Sequence, residues 1–118
     1  MDEPKRADML QGTLDLLILR ALSDGAVHGW GISQRISSES REVLQVNQGS
    51  LYPALHRMEY RGWIRSEWGT SENNRRAKFY RLTPKGERRL GVERQAWDRF
   101  VEAMQRVLDG AEPETSTT

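Results

Sequence analysis

The sequence contains no cysteine and only two histidines, His28 and His56. Without thiols, neither a disulfide framework nor a thiolate zinc site is available. The two histidines are far apart, and neither has a further His, Asp or Glu at ligand spacing, so no metal site is expected. Long apolar runs are missing too: nothing approaches the roughly 18 residues that cross a bilayer. The opening stretch, Met1 to Asp8, is polar and mixed in charge, unlike a secretory leader. A cytoplasmic protein with no membrane partner is the expectation. Catalytic patterns are equally absent. Gly29-Trp30-Gly31 lacks the third glycine and the preceding strand of a dinucleotide fingerprint. Ser50 has no base arranged to activate it, and no paired carboxylates can be located. The residues therefore point away from an enzyme and imply no cofactor.

What the sequence does have is an uneven charge. The net charge of +1 hides a basic centre. Residues 1–46 carry five Lys/Arg against seven acids, residues 47–94 carry eleven against five, and residues 95–118 carry two against five. The middle segment, at +6, favours a polyanionic partner. A solvated basic face would give the same balance, so the motifs must decide.

The hydrophobic pattern divides 118 residues into one small domain and one long element. Residues 1–9 read as a loose arm. From Thr13, Leu14, Leu17, Ile18, Ala21 and Leu22 fall at helical spacing, and Gly25 supplies a stop. A second helix is expected from Gly29 to about Ser40. The third, from Asn47 to Tyr60, buries Leu51, Leu55 and Met58, with Asn47 or Ser50 as its cap and Gly62 as its end. Pro53 requires that helix to start close to Asn47–Ser50. The period then changes to two. Trp63–Trp68 and Lys78–Leu82 alternate, with Ile64, Trp68, Tyr80 and Leu82 as inward residues, and the polar stretch Gly69–Arg76 joins them as a hairpin. Thr83-Pro84 starts a last helix that runs to about Asp109. Residues 110–118 lack large apolar side chains and read as a disordered tail.

That last helix spans about 38 Å at 1.5 Å per residue, too long for so small a domain to cover. Leu90, Trp97 and Met104 recur every seven residues, Phe100 and Val107 fill the complementary positions, and Val101 and Leu108 widen the stripe. Such a seam is expected to meet a second copy, making a homodimer. Glu93 is the one seam position that is not apolar, and it is a candidate for attracting a cation.

Three helices followed by a hairpin give the winged helix–turn–helix arrangement, mainly α with a small β-hairpin. The expected domain covers residues 10–83, and the dimerisation helix residues 84–109. In that arrangement the third helix enters the major groove and the wing follows the backbone or minor groove of double-stranded DNA. Its leading turn must be small or polar. Gln48, Gly49, Ser50 and Tyr52 meet that need, and Gln48 can bond adenine in bidentate fashion. His56 and Arg57 extend the same face. On the hairpin, Asn73, Asn74, Arg75 and Arg76 can reach phosphates, with Lys78 behind them. The same fold can also serve protein–protein contact without reading sequence, and that alternative stays open.

The stretches HGWGI (28–32), NQGSLYPALHRMEYRGWI (47–64) and RAKFYRLTPKGERRL (76–90) resemble the PadR family of transcriptional regulators. The resemblance covers residues 10 to about 108 and matches the smaller subtype, with a single terminal helix. It implies a repressor that dimerises through that helix on a palindromic operator, often under control of a small aromatic or cationic effector. It also implies operator contacts from Gln48, Ser50, Tyr52 and residues Asn74 to Arg76. In some drug-binding relatives, a tryptophan placed like Trp97 meets its symmetry mate and stacks on flat ligands. With Glu93 and Phe100 beside it, Trp97 is a candidate effector site, although plain packing at the seam is the ordinary role of such a residue.

Overall fold

The structure is a computed structural model and describes residues 6–110. Its elements run α1 (Arg6–Ala21), β1 (Val27–His28), α2 (Gly29–Glu39), α3 (Gln48–Tyr60), β2 (Ile64–Thr70), β3 (Arg76–Leu82) and α4 (Pro84–Leu108). Helix α1 starts at Arg6, ahead of Thr13 and inside the stretch expected to be a loose arm. Residues 1–5, and residues 111–118 of the expected tail, lie outside the described residues.

Helices α1, α2 and α3 pack around one apolar centre. Ile18, Leu19 and Leu22 from the first helix and turn meet Ile32, Leu51, Leu55 and Met58, and Ile64 closes the cluster from the sheet. These side chains are fully buried, and each such burial contributes about 1.5–3 kcal/mol. Helices α2, α3 and α4 each start with a side-chain acceptor. His28 Nδ1 accepts from Gly31 N–H at 2.9 Å, Asn47 Oδ1 from Ser50 N–H at 2.9 Å, and Thr83 Oγ1 from Gly86 N–H at 3.0 Å. Between α2 and α3, Arg41 and Glu42 both adopt left-handed backbone (φ 54° and 65°), which costs non-glycine residues energy.

The sheet is three-stranded and antiparallel, in the order β1-β3-β2. The expected two-stranded hairpin therefore gains a short edge partner: Val27 and His28 pair with Tyr80 and Phe79. Both hairpin strands also run further out than expected, so the turn shrinks from Gly69–Arg76 to Ser71–Arg75. Cross-strand pairing outlasts the hydrophobic alternation. That is why the sequence pattern ends too early.

Helix α3 hands over to β2 through a Schellman turn. Gly62 takes φ 80°, its N–H donates to Glu59 C=O, and Trp63 N–H reaches back to Met58 C=O. Thr83 then ties the start of α4 to the same corner. Its hydroxyl donates to Gly62 C=O at 2.6 Å and its N–H to Trp63 C=O at 3.0 Å. Helix α3, the β2–β3 hairpin and α4 thus share one joint.

Candidate nucleic-acid interface

The outer face of α3 follows from its buried one. Leu51, Ala54, Leu55 and Met58 point into the core. Gly49, Pro53, His56 and Tyr60, each four or three residues apart, therefore line up on the exposed side. Glycine has no side chain and proline a compact one, so the leading half of this face can come close to a partner surface. Gln48 is exposed beside them, and Ser50 is half-buried with its N–H held by the cap. Pro53 sits in the second turn, where it cannot donate to the carbonyl of Gly49; the helix continues past it on its solvent side.

Tyr52 has two roles. It is 43% exposed, yet its ring also lies on the first turn of α2: a Cβ at Gly29 would meet the Tyr52 hydroxyl at 2.5 Å. The phenol fixes the crossing of α2 and α3 and keeps one edge on the surface.

The wing tip is a tight turn. Asn74 N–H donates to Ser71 C=O, and Ser71 N–H to Arg75 C=O, both at 2.8 Å. Asn74 sits at φ 60°, a backbone that asparagine tolerates better than most residues. Asn73, Asn74, Arg75 and Arg76 are all exposed there.

Below the tip, the structure corrects one expectation. Trp68 keeps the strand alternation that buries Ile64, but the core has run out at that height, and the indole is 59% exposed. The Arg76 guanidinium lies 4.6 Å from its ring centroid and the Lys78 ammonium 5.9 Å. At its base the same sheet face touches α3, where Ser66 Oγ donates to Glu59 at 2.7 Å. Tyr80 is buried on this face. Burial, reinforced by the charge of Glu59 and by Tyr52, raises its phenol above the ordinary tyrosine range.

The long helix leaves its domain as expected. Phe100 (55%), Val107 (77%) and Leu108 (74%) are exposed, as is Met104, and Val101 is half-covered. Leu90, the first residue of the expected seam, is half-buried and packs against the domain's own core. Between α1 and α4 lies an open, mainly apolar groove of about 400 Å³, lined by Leu16, Leu17, Arg20, Leu90, Gly91, Arg94 and Trp97. The rings of Trp97 and Phe100 stand 5.8 Å apart. Glu93 is not the free carboxylate imagined for a cation: it is half-buried and paired with Arg89 one turn back. Among the described residues no group of His, Asp or Glu is placed to hold a metal ion. No helix among them is long and apolar enough to cross a membrane.

Residues 18–92 match the model of the transcriptional regulator PadR-like family. The transcriptional regulator Rv3488 of Mycobacterium tuberculosis is 36% identical over 86 residues, covering 73% of this chain and 77% of the relative. Among solved structures, a transcriptional regulator from Clostridium thermocellum superposes with a TM-score of 0.76 at 29% identity, over 84% of this chain and 96% of that one. The PadR-like transcriptional regulator of Bacillus cereus does so at 0.74 and 29%, over 87% and 98%. The chain belongs to the PadR-like family of transcriptional regulators.

Within this PadR-like fold the expected residues separate into groups. Gln48, Tyr52 and His56 share the surface of α3, and Asn73 to Arg76 with Lys78 share the wing. Arg57 stands apart. Its guanidinium is committed to Asp15 of α1 at 2.7 Å, with both side chains partly covered, so it braces the helix crossing. Tyr60, 91% exposed, was not expected; its place four residues after His56 was the available signal.

Proposed function

We propose that this PadR-like regulator binds a palindromic operator as a homodimer and represses transcription until a small ligand releases it. The observation that carries this reading is the joint exposure of a small-profiled α3 face and of Arg75, Arg76 and Lys78 on the wing, which take part in no ion pair found among the described residues. The two are linked through Ser66–Glu59 and project from one corner of the domain. Gln48 reads base edges, with Ser50, Tyr52 and His56 around it. Asn73, Asn74, Arg75, Arg76 and Lys78 hold the backbone.

The exposed stripe of α4 (Trp97, Phe100, Val101, Met104, Val107 and Leu108) supports the dimer, because a monomer gains nothing from showing it to water. Two reading helices must then stand one helical turn apart, about 34 Å, to enter successive major grooves. Trp97 belongs to that stripe and also lines the α1–α4 groove, which makes the groove the effector site of this reading. A flat aromatic ligand stacked on Trp97 regulates by binding the released spacing more tightly than the DNA-bound one. Quenching of tryptophan emission on ligand addition, lost in Trp97→Ala, tests that step.

The regulator reading itself is tested by fluorescence-anisotropy titration with the protein's own promoter fragment and a scrambled duplex at two salt concentrations. Preference for the promoter, abolished by Arg75→Ala with Arg76→Ala, is the expected result. Equal, weak binding to both duplexes favours a protein-contact module instead.

A further inference from the structure

We propose that Trp68 is a positioning residue for DNA recognition, a platform on which the wing holds Arg76 and Lys78 in fixed register for successive phosphates. The proposal rests on the DNA reading above and adds a residue to it.

The strand register makes the arrangement. Lys78 is directly opposite Trp68, and Arg76, opposite Thr70, is its diagonal neighbour, so both cations fall on the sheet face that carries the indole. Both take up the ring: the guanidinium at 4.6 Å and the ammonium at 5.9 Å from the centroid. Neither takes part in any ion pair found among the described residues, all of which use other cations. The opposite face of the hairpin is different. There Arg81 is paired with Glu67, and Phe79 is engaged by the edge of His28. On that face Glu67 answers one of two arginines, Arg81 and Arg65, and Phe79 is packed. The other face carries two cations held only by an aromatic ring, and it is the face that touches α3 through Ser66 and Glu59.

An arginine free on a hairpin loses rotamer freedom when it grips a phosphate, and that loss weakens binding. A ring that already fixes the guanidinium plane removes part of the loss while leaving the N–H edges open to phosphate oxygens. The large exposed indole then has a purpose that packing does not supply.

The test is an anisotropy titration of promoter DNA across a salt series with the wild-type protein and with Trp68→Ala, Trp68→Phe, Arg76→Gln and the double variant Trp68→Ala/Arg76→Gln. Trp68→Ala keeps every charge, yet it is expected to weaken binding about fivefold. It should also flatten the dependence of log K on log salt by about one. Trp68→Phe is expected to restore most of both. The double variant should lose less than the two single losses combined. Thermal melts accompany each titration, and Trp68→Thr, which favours strand, replaces the alanine variant if that one unfolds.

Unchanged affinity and salt slope in Trp68→Ala would overturn the proposal, as would independent losses in the double variant. A Trp68→Phe loss as large as that of alanine would also overturn it, because the indole would then be touching DNA itself. Failure of the wild-type protein to bind any duplex would instead remove the DNA reading on which the proposal rests.

Discussion

The α-carbon of Gly86 is pressed against the carbonyl oxygen of Trp63, with no room for a Cβ between them. That carbonyl also accepts from Thr83 N–H, so it cannot turn away without giving up the bond that anchors α4. Gly86→Ala is expected to destabilise the protein by about 2 kcal/mol, the scale of an overpacked core position, measured by urea denaturation. The same change at Gly91, where nothing lies within contact range, is expected to be neutral or stabilising in the isolated chain.

Arg57 separates bracing from DNA contact. Its pair with Asp15 spans α1 and α3 in partial burial, so Arg57→Ala is expected to cost about 1 kcal/mol of stability. The salt dependence of DNA binding should stay as it is. Arg75→Ala is expected to do the reverse, lowering the salt slope by about one with no change in the thermal midpoint. Melting curves and salt titrations on the two variants decide between these roles.

Much of this arrangement was legible in the sequence, and the exceptions share a cause. The helices announced themselves through their apolar period and through Asn47, Gly62 and Thr83-Pro84 at their ends. The third strand did not, because two residues, Val27 and His28, have no period to read. Alternation puts Trp68 on the inward sheet face but says nothing of the height at which the core stops. For Arg57 and Glu93, charge and helix face are all that can be read from the residues. Their partners, Asp15 forty-two residues away and Arg89 one turn back, decide whether that charge is free.

Tyr80 links stability to alkaline pH. Its phenol is raised in the folded state, so the folded protein keeps a proton that the unfolded chain releases above about pH 10. The contribution is complete below that point and declines as pH rises toward the folded value. Urea denaturation between pH 8 and 11 is expected to show stability falling, and Tyr80→Phe to fall less steeply. Phenolate absorbance should show a late step that the Phe variant lacks.

The seam of α4 predicts an assembly. Phe100→Asp puts a charge into the exposed apolar stripe without disturbing the domain core, from which Phe100 is absent. Sedimentation is expected to shift from the mass of two chains to the 13.6 kDa of one, with helical content unchanged. A variant that sediments like the wild type would place the contact elsewhere.

The most direct test of the whole account is a hydroxyl-radical footprint on the protein's own promoter, run with the wild type and with Phe100→Asp. Two protected patches related by a dyad, with centres about 10 base pairs apart, are predicted for the wild type and should fade together in the variant. No protection, or a single unsymmetrical patch that the variant reproduces at the same concentration, would contradict a dimer that reads DNA through paired winged helices.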